Sequence, residues 1–239
     1  MNLEWLERVG RDARTFGLPL DDRQTARFGL YAQMLLAWNE KVNLTAITDD
    51  EGIAVKHFVD SLSALPFVTH GSSVVDVGTG AGFPGIPLAL ARPDLSVALL
   101  DSLDKRIRFL EAVTEALELR NVKSQHGRAE DFGRKAGWRE HFDVAIARAV
   151  ASLPVLLEYC LPFVRVGGLF LAMKGSGLNE EARDAERAVR ILGGRIVEIR
   201  TFFLPGTDMA RSIVVVEKGK PTPEAYPRKS GKPSREPIL

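Results

Sequence analysis

A glycine-rich segment, VVDVGTGAGFPGIP at residues 74–87, restricts the fold of this chain more than any other stretch. An apolar run ends at Asp76, glycines follow at short intervals, and a helix-like pattern then resumes. A buried strand, a tight turn and a helix start in this order hold nucleotide-like cofactors in doubly wound α/β sheets. Glycine suits such a turn because it adopts positive φ and lets backbone N–H groups approach a ligand closely.

The spacing of these glycines fits two kinds of cofactor site. Gly80, Gly82 and Gly85 match G-x-G-x-x-G, which indicates a dinucleotide with its pyrophosphate at the helix N-terminus. Gly78, Gly80 and Gly82, preceded by Asp76, match D-x-G-x-G-x-G, which resembles motif I of class I S-adenosylmethionine methyltransferases. That cofactor has no phosphate, so a carboxylate near the loop would hold its methionine amino group. Asp76 favours this second interpretation, and a purely structural turn is the remaining alternative.

Strands and helices alternate after residue 71, which predicts a mostly parallel sheet covered on both faces. We predict strands near residues 73–78, 96–101, 121–126, 142–147, 167–173, 195–203 and 211–217, and helices near 85–92, 104–118, 130–136, 152–162 and 178–192. Only residues 204–210 separate the last two strands, which predicts an antiparallel hairpin at one edge of the sheet. This pattern is more typical of a seven-stranded methyltransferase core than of a dehydrogenase.

The periodicity also predicts three regions. Residues 1–65 show helical spacing of apolar residues, with a break at Gly17, Leu18 and Pro19 and a third short helix near residues 51–65. Residues 66–217 form the cofactor-binding domain, and residues 218–239 form a basic, proline-rich tail with six basic and two acidic side chains. Such a segment cannot bury enough apolar surface to fold alone. It is either a solvated tail or a basic arm that follows RNA phosphates.

The composition argues against several other kinds of site. Cys160 is the only cysteine, which argues against a disulfide framework or a thiolate metal cluster, and the four histidines show no metal-ligand spacing. The first residues do not resemble a secretion signal, and no apolar run is long enough to span a membrane. We therefore expect a cytoplasmic, monomeric protein with no metal and no membrane segment.

Polar residues follow the predicted strands, where a doubly wound sheet binds its ligand. Asp101 ends the second strand, and its two carboxylate oxygens suit the two ribose hydroxyls of a nucleoside; a helix N-cap is the alternative. After the third strand, Ala129 and Glu130 occupy the position that borders adenine in methyltransferases, with a capped helix start as the alternative.

The sequence ARAV at residues 147–150 follows the fourth strand, where methyltransferases usually face the acceptor. It lacks the [DNS]-P-P-[YFW] pattern of amino-group methylation and the Pro-Cys pair of pyrimidine C5 methylation. Arg148 suits an acceptor that needs no deprotonation but lies near an anion such as a nucleotide phosphate; a structural ion pair is the alternative. Lys56, His57 and Asp60 form a polar group on the third predicted helix, where a surface salt-bridge set is the commoner explanation.

Taken together, eight segments resemble one known family, the RsmG (GidB) ribosomal RNA guanine-N7 methyltransferases. They are WNEKVNLTAIT, KHFVDSL, VVDVGTGAGFPGIPLA, LLDSLDKRIRFL, GRAEDF, ARAVASL, MKGSG and YPRKSGKPSREPI. The resemblance runs from about residue 31 to the C-terminus. It implies a class I methyltransferase fold, a Rossmann-like seven-stranded sheet that is mostly parallel with an antiparallel edge hairpin, preceded by a helical segment.

The resemblance further implies S-adenosylmethionine as methyl donor, N7 of a guanine in 16S ribosomal RNA as acceptor, and this RNA or the small ribosomal subunit as partner. The predicted cofactor contacts are Asp76, Gly78, Gly80, Gly82, Phe83, Asp101, Ser102, Leu103, Ala129, Glu130 and Arg148. The candidates for a catalytic role are Asp60, His57 and Arg148, and those for RNA binding are Lys56, Lys174, Arg228 and Lys229.

The implied chemistry needs no general base, because guanine N7 carries a free lone pair. Catalysis would then depend on alignment of nucleophile, methyl group and sulfur. The methylated base gains positive charge, which a carboxylate such as Asp60 would stabilise. The competing interpretations are a methyltransferase for another RNA base or a small molecule, an NAD-dependent oxidoreductase, and a non-catalytic RNA-binding module.

Overall fold

The computed structural model describes residues 4–148, 151–175 and 178–239. Ala149 and Val150 of the predicted acceptor segment therefore lie outside the described residues. The helices are α1 (Glu4–Arg14), α2 (Asp22–Val42), α3 (Asp50–Gly52), α4 (Asp60–Leu62), α5 (Gly85–Ala91), α6 (Asp104–Ala116), α7 (Ala129–Phe132), α8 (Leu153–Cys160), α9 (Leu178–Asp184), α10 (Glu186–Ile191) and α11 (Lys232–Arg235). The strands are β1 (Ser73–Val77), β2 (Ser96–Asp101), β3 (Val122–His126), β4 (Phe142–Arg148), β5 (Val164–Lys174), β6 (Gly194–Phe203) and β7 (Ala210–Lys218).

The seven strands form one sheet with the order β3-β2-β1-β4-β5-β7-β6. The first five pair in parallel, whereas β7 is antiparallel to both β5 and β6. The predicted class I methyltransferase sheet with an antiparallel hairpin at one edge is thus confirmed. Strand order reverses at β1, so the carboxyl ends of β1, β2 and β4 surround the crevice where such sheets bind ligands.

The N-terminal helices pack on the sheet as part of its core. Asp21 and Gln24 form a capping box that starts α2, and the Gln24 amide also donates to the carbonyls of Leu90 and Ala91 at the end of α5. Phe28 and Tyr31 of α2 are fully buried in the same hydrophobic cluster as the β1 and β2 side chains. This shared core fixes the helical segment against the cofactor-binding edge.

The third predicted helix is present but is not a regular α-helix. A π-helical segment, Ile53–Val59, joins α3 to α4, and the Asp60 N–H donates to the carbonyls of Val55 and His57. A π-helical turn widens the backbone and often lies at functional sites. Here it carries Lys56 and His57, and Asp60 follows directly.

The C-terminal tail is not a solvated arm. It follows Lys218, the last residue of β7, whose fully buried ammonium group donates to the Thr222 hydroxyl and the Leu161 carbonyl at 2.7 Å each. The Arg139 guanidinium donates to the carbonyls of Thr222 and Tyr226 at 2.6 and 2.9 Å. Long-range hydrogen bonds therefore fold a segment that has too few apolar residues to fold alone.

Candidate active site

Three neighbouring cavities lie along the carboxyl ends of the parallel strands. The first, about 260 Å³, is lined among others by Gly78, Asp101, Ser102, Ala129 and Glu130. The middle cavity, about 360 Å³, is lined by Thr45, His57, Gly78, Gly80, Phe83, Arg106 and Arg148 among others. The outer cavity, about 410 Å³, is lined by Lys56, His57, Asp60, Arg148, Lys174 and Arg211 among others. Gly78 borders the first two, and His57 and Arg148 border the last two.

Asp76 shapes the glycine loop from behind. Its side chain is completely buried, and one carboxylate oxygen accepts hydrogen bonds from the Thr79 hydroxyl at 2.6 Å and the Gly85 N–H at 2.8 Å. Burial raises the pKa of Asp76 to about 6, although both hydrogen bonds oppose this rise. Asp76 thus holds the loop, and Thr79 and Gly80 of the loop line the cavity. The other Asp76 oxygen is buried with no hydrogen-bond partner among the described residues, and the contact of Asp76 with a cofactor stays a prediction.

Gly82 is not among the residues that line the middle cavity, and it packs instead against helix α2. Its φ is +97°, and a Cβ there would lie 2.7 Å from the Tyr31 hydroxyl and 2.6 Å from the Ile86 side chain. Tyr31 donates a hydrogen bond to the Ala81 carbonyl. Helix α2 therefore supports the loop, and only glycine leaves room for that contact.

The first cavity has the acidic side chains that the sequence predicted there. Asp101 is 3% exposed; one of its oxygens accepts from the Gly80 N–H at 2.9 Å and from Arg106 Nη1 at 3.2 Å, and the other from the Leu103 N–H at 2.9 Å. Carboxylate oxygens have further lone pairs, so Asp101 keeps acceptor capacity toward the cavity. Leu103 contributes this backbone contact while its side chain is largely exposed.

An aromatic stack forms the junction between the middle and outer cavities. The His57 and Phe83 rings are nearly parallel, with centroids 4.4 Å apart. Tyr31 also stacks on Phe83, with ring centroids 5.3 Å apart. The Arg148 guanidinium carbon lies 5.1 Å from the Phe83 centroid. Two segments that are distant in sequence, the π-helical turn and the end of β4, thus meet on the glycine loop.

His57 is neutral in this arrangement. A guanidinium group only donates, so His57 Nδ1 accepts from Arg148 Nη2 at 3.4 Å, and Nε2–H donates to the Thr45 hydroxyl at 2.8 Å. Burial, reinforced by the charge of Arg148, lowers the pKa of His57 to about 3. The ring therefore stacks and positions its neighbours without accepting a proton near neutral pH.

The neutral state of His57 predicts a pH-dependent stability. The unfolded imidazole takes up a proton below pH 6.5, whereas the folded one does not until about pH 3. The stability that the fold gains from a neutral His57 is therefore fully present above pH 6.5 and is lost as the pH falls toward 3. We expect the free energy of unfolding of wild type relative to His57→Gln to decrease by roughly 2 kcal/mol between pH 8 and pH 5. Urea unfolding at both pH values measures this difference, and His70→Gln serves as the control at an exposed histidine. The same pH dependence for both variants relative to wild type would contradict the prediction.

Asp60 lies between two arginines instead of standing free for a charged base. One carboxylate oxygen accepts from Arg148 Nη1 at 3.2 Å and the other from Arg211 Nε at 3.1 Å. Arg148 Nη1 also donates to the Lys56 carbonyl at 3.0 Å, which connects β4 to the π-helical segment. Asp60 therefore orients both guanidinium groups at the edge of the outer cavity.

The four predicted RNA-binding residues have different surroundings. Lys56 lines the outer cavity with an exposed side chain, and Lys229 is exposed on the tail. Lys174 also lines that cavity, but its ammonium group already pairs with Glu181 at 2.9 Å. Arg228 donates three hydrogen bonds to Glu158, and its contact with an RNA phosphate stays a prediction.

Sequence reasoning missed several residues of the site. Arg106 and Thr45 lie in two of the segments that resemble the family, but nothing in those segments indicates a role for either residue. Arg211 is the second residue of the antiparallel strand β7, and the local sequence there indicates no function. Tyr159 and Ser234 line the first cavity from α8 and from the tail. These residues reach the site only because segments distant in sequence pack together, and the periodicity of the sequence does not predict such packing.

The described part of the chain contains no cluster of His, Cys, Asp and Glu residues that could hold a metal ion. Within the same residues, no helix is both long enough and apolar enough to cross a bilayer.

Comparison with known proteins identifies the family. A family model described as GidB, rRNA small subunit methyltransferase G, matches residues 24–209. The chain belongs to this family. Among its curated relatives, a protein of Acetivibrio thermocellus is 52% identical over 95% of this chain and 93% of its own length. One of Alkaliphilus oremlandii is 49% identical over 99% of this chain and 100% of its own. Both are named ribosomal RNA small subunit methyltransferase G.

Solved structures with lower identity share the fold. TYW2 of M. jannaschii, solved in complex with AdoMet, matches with a TM-score of 0.50 at 16% identity and covers 64% of this chain and 72% of its own. A variant of a 16S rRNA adenine-N1 methyltransferase from Catenulisporales acidiphilia matches with a TM-score of 0.52 at 16% identity, covering 64% and 88%. These likenesses agree with the class I sheet, and the family requires S-adenosylmethionine as its methyl donor.

Proposed function

We propose that this protein transfers the methyl group of S-adenosylmethionine to N7 of a guanine in 16S ribosomal RNA. One observation carries the proposal: a cofactor-sized pair of cavities opens, at His57 and Arg148, into a third cavity lined by basic groups. Membership in the rRNA small subunit methyltransferase G family supports the same substrate.

The residues present fit S-adenosylmethionine. Gly78, Gly80 and Gly82 all have positive φ, so the loop turns sharply and presents its backbone to the middle cavity. Asp101 suits the ribose hydroxyls, and Ala129 and Glu130 suit the adenine edge in the first cavity. The middle cavity, which the glycine loop lines up to the junction at His57 and Arg148, would hold the methionine part.

The junction is suited to an acceptor atom that already carries a lone pair. When bound, S-adenosylmethionine supplies a methyl group whose bond to sulfur breaks as the bond to N7 forms, with that electron pair passing to sulfur. His57 is neutral with both ring nitrogens hydrogen-bonded, and Asp60 is paired with two arginines. These side chains position the reactants and exclude water, and none of them needs to move a proton.

The outer cavity recognises a nucleotide through charge. Arg148 and Arg211 together place two guanidinium groups against one Asp60 carboxylate, and the exposed Lys56 adds a third cation. The excess positive charge suits an RNA phosphate beside the target base. Lys174 is paired with Glu181, so it adds less net positive charge to this cavity than the exposed Lys56 does.

The decisive experiment is methyl transfer to RNA with the position mapped. Purified protein is incubated with labelled S-adenosylmethionine and 16S RNA, either naked or in the small subunit. Borohydride reduction followed by aniline cleavage then detects N7-methylguanosine. A single cleavage at one guanine supports the proposal. Label at another base, or only on a small molecule, would support the alternative that a methyltransferase of this fold acts elsewhere.

Arg106 is proposed to hold the methionine carboxylate of the cofactor. Its side chain borders the middle cavity, Nη1 pairs with Asp101, and its buried Nε has no hydrogen-bond partner among the described residues. We expect Arg106→Met to raise the dissociation constant for S-adenosylhomocysteine about tenfold, because a charge-assisted hydrogen bond is lost.

The matched control is Arg108→Met on the same helix, whose guanidinium pairs with Asp104 and is 73% exposed. Calorimetry with 5′-methylthioadenosine, which lacks the carboxylate, separates this role from support of Asp101. The Arg106→Met variant is expected to bind 5′-methylthioadenosine with nearly the same affinity as wild type. An equal loss for both ligands would refute the carboxylate contact. Cytoplasmic location and a monomeric state remain predictions.

A further inference from the structure

We propose that the C-terminal strap, defined as residues 219–239 after β7, forms the outer wall of the first cavity and takes part in cofactor binding. The inference rests on the proposed function, which places the adenosine part of the cofactor in that cavity. It assigns the strap a role different from the RNA-binding arm that its basic composition suggested.

The strap contacts the cavity directly. Ser234 is one of the lining residues, together with Tyr159, Ala129 and Glu130 of the domain. The Gly231 N–H donates to the Glu130 carboxylate at 2.8 Å, and the Ser234 hydroxyl donates to the Gly231 carbonyl at 3.1 Å. A strap residue therefore holds the carboxylate that was predicted to border adenine.

Buried contacts on both sides of Gly231 fix the strap in this position. The Arg228 guanidinium makes three hydrogen bonds of 2.6 to 3.0 Å to Glu158, which is only 1% exposed. Glu158 precedes Tyr159 on α8, so the same helix anchors the strap and lines the cavity. On the other side of Gly231, Pro233 and Ile238 are buried. A bidentate arginine pair with an almost inaccessible carboxylate is a specific geometry.

Binding and strap docking are therefore coupled. A ligand that fills the first cavity contacts a wall built partly from the strap, so it favours the docked strap. By thermodynamic reciprocity, a correctly docked strap raises the affinity for that ligand by the same factor. The proposed function places the RNA acceptor in the outer cavity, and no strap residue is among the residues that line it.

The test compares two identical substitutions on the strap. Both serines are exposed, but only Ser234 lines the first cavity, so Ser234→Leu places a larger side chain in the cavity wall and Ser230→Leu does not. We expect Ser234→Leu to weaken binding of S-adenosylhomocysteine about tenfold by calorimetry. The Ser230→Leu variant is expected to bind like wild type.

A second measurement uses the unmodified full-length chain. Hydrogen–deuterium exchange of the Gly231 amide, which donates to Glu130, is expected to slow several-fold when S-adenosylhomocysteine is added. Wild-type affinity in Ser234→Leu together with unchanged exchange at Gly231 would overturn the role of the strap. If the wild-type chain bound neither S-adenosylmethionine nor S-adenosylhomocysteine, the proposed function itself would fail, and the strap's role would fail with it.

Discussion

Arg148→Met is expected to lower the methyl-transfer rate about 100-fold, because this side chain holds the junction of the middle and outer cavities together. Its guanidinium group contacts Asp60, the Lys56 carbonyl and His57. Methionine fills a similar volume but donates no hydrogen bond, so the π-helical turn loses its connection to β4. The reacting groups then lose the alignment on which such a transfer depends.

Single-turnover rates with 16S RNA measure the effect, and calorimetry with S-adenosylhomocysteine shows whether the variant still binds its ligand. Arg165→Met is the control, since Arg165 pairs with Asp143 at the start of β5 and is 51% exposed. Arg148→Lys keeps the positive charge but loses the planar guanidinium group, and its methyl-transfer rate is expected to lie between those of wild type and Arg148→Met. A rate within threefold of wild type for Arg148→Met would exclude a central role for this residue.

Gly85→Ala is expected to destabilise the protein by about 3 kcal/mol, because the first turn of α5 lies directly on the sheet. A Cβ at Gly85 would lie 2.3 Å from a methyl group of Leu99 and 2.9 Å from the Asp76 carboxylate. Leu99 is fully buried, so it has little space in which to move. The shift also strains the hydrogen bond from the Gly85 N–H to Asp76 that fixes the loop.

Urea unfolding of Gly85→Ala measures this loss, with Gly10→Ala as the matched control. No atom lies within 4 Å of a Cβ at Gly10, and alanine is the better helix former, so α1 is expected to become slightly more stable. Equal stabilities for the two variants would show that the contact at Gly85 is more adaptable than its geometry indicates.

Local patterns in the sequence were sufficient for the fold. The alternation of apolar runs and helical spacing predicts seven strands, and all seven are present in the sheet. The short link between the last two strands was sufficient for the antiparallel hairpin. Asp101 was identifiable because the end of a parallel strand has a fixed place at the ligand crevice.

The polar pairing at the site was not predictable in this way. Arg211 reaches Asp60 across 151 positions of the chain, and Arg228 reaches Glu158 across 70. A basic segment has the same sequence pattern whether its charges face water, RNA or a buried carboxylate. Asp76 is a second example: its motif predicts that it lies next to the glycine loop, but not whether its side chain faces the cavity or the core behind the loop.

Short segments of this chain specify the sheet, the glycine turn and the chemical class of the site, because these features depend on burial and backbone geometry within each segment. Which charged groups are free and which are already paired depends on the folded arrangement of the whole chain. The π-helical turn, the end of β4 and the strap meet through packing of distant segments, and such contacts have no local periodicity.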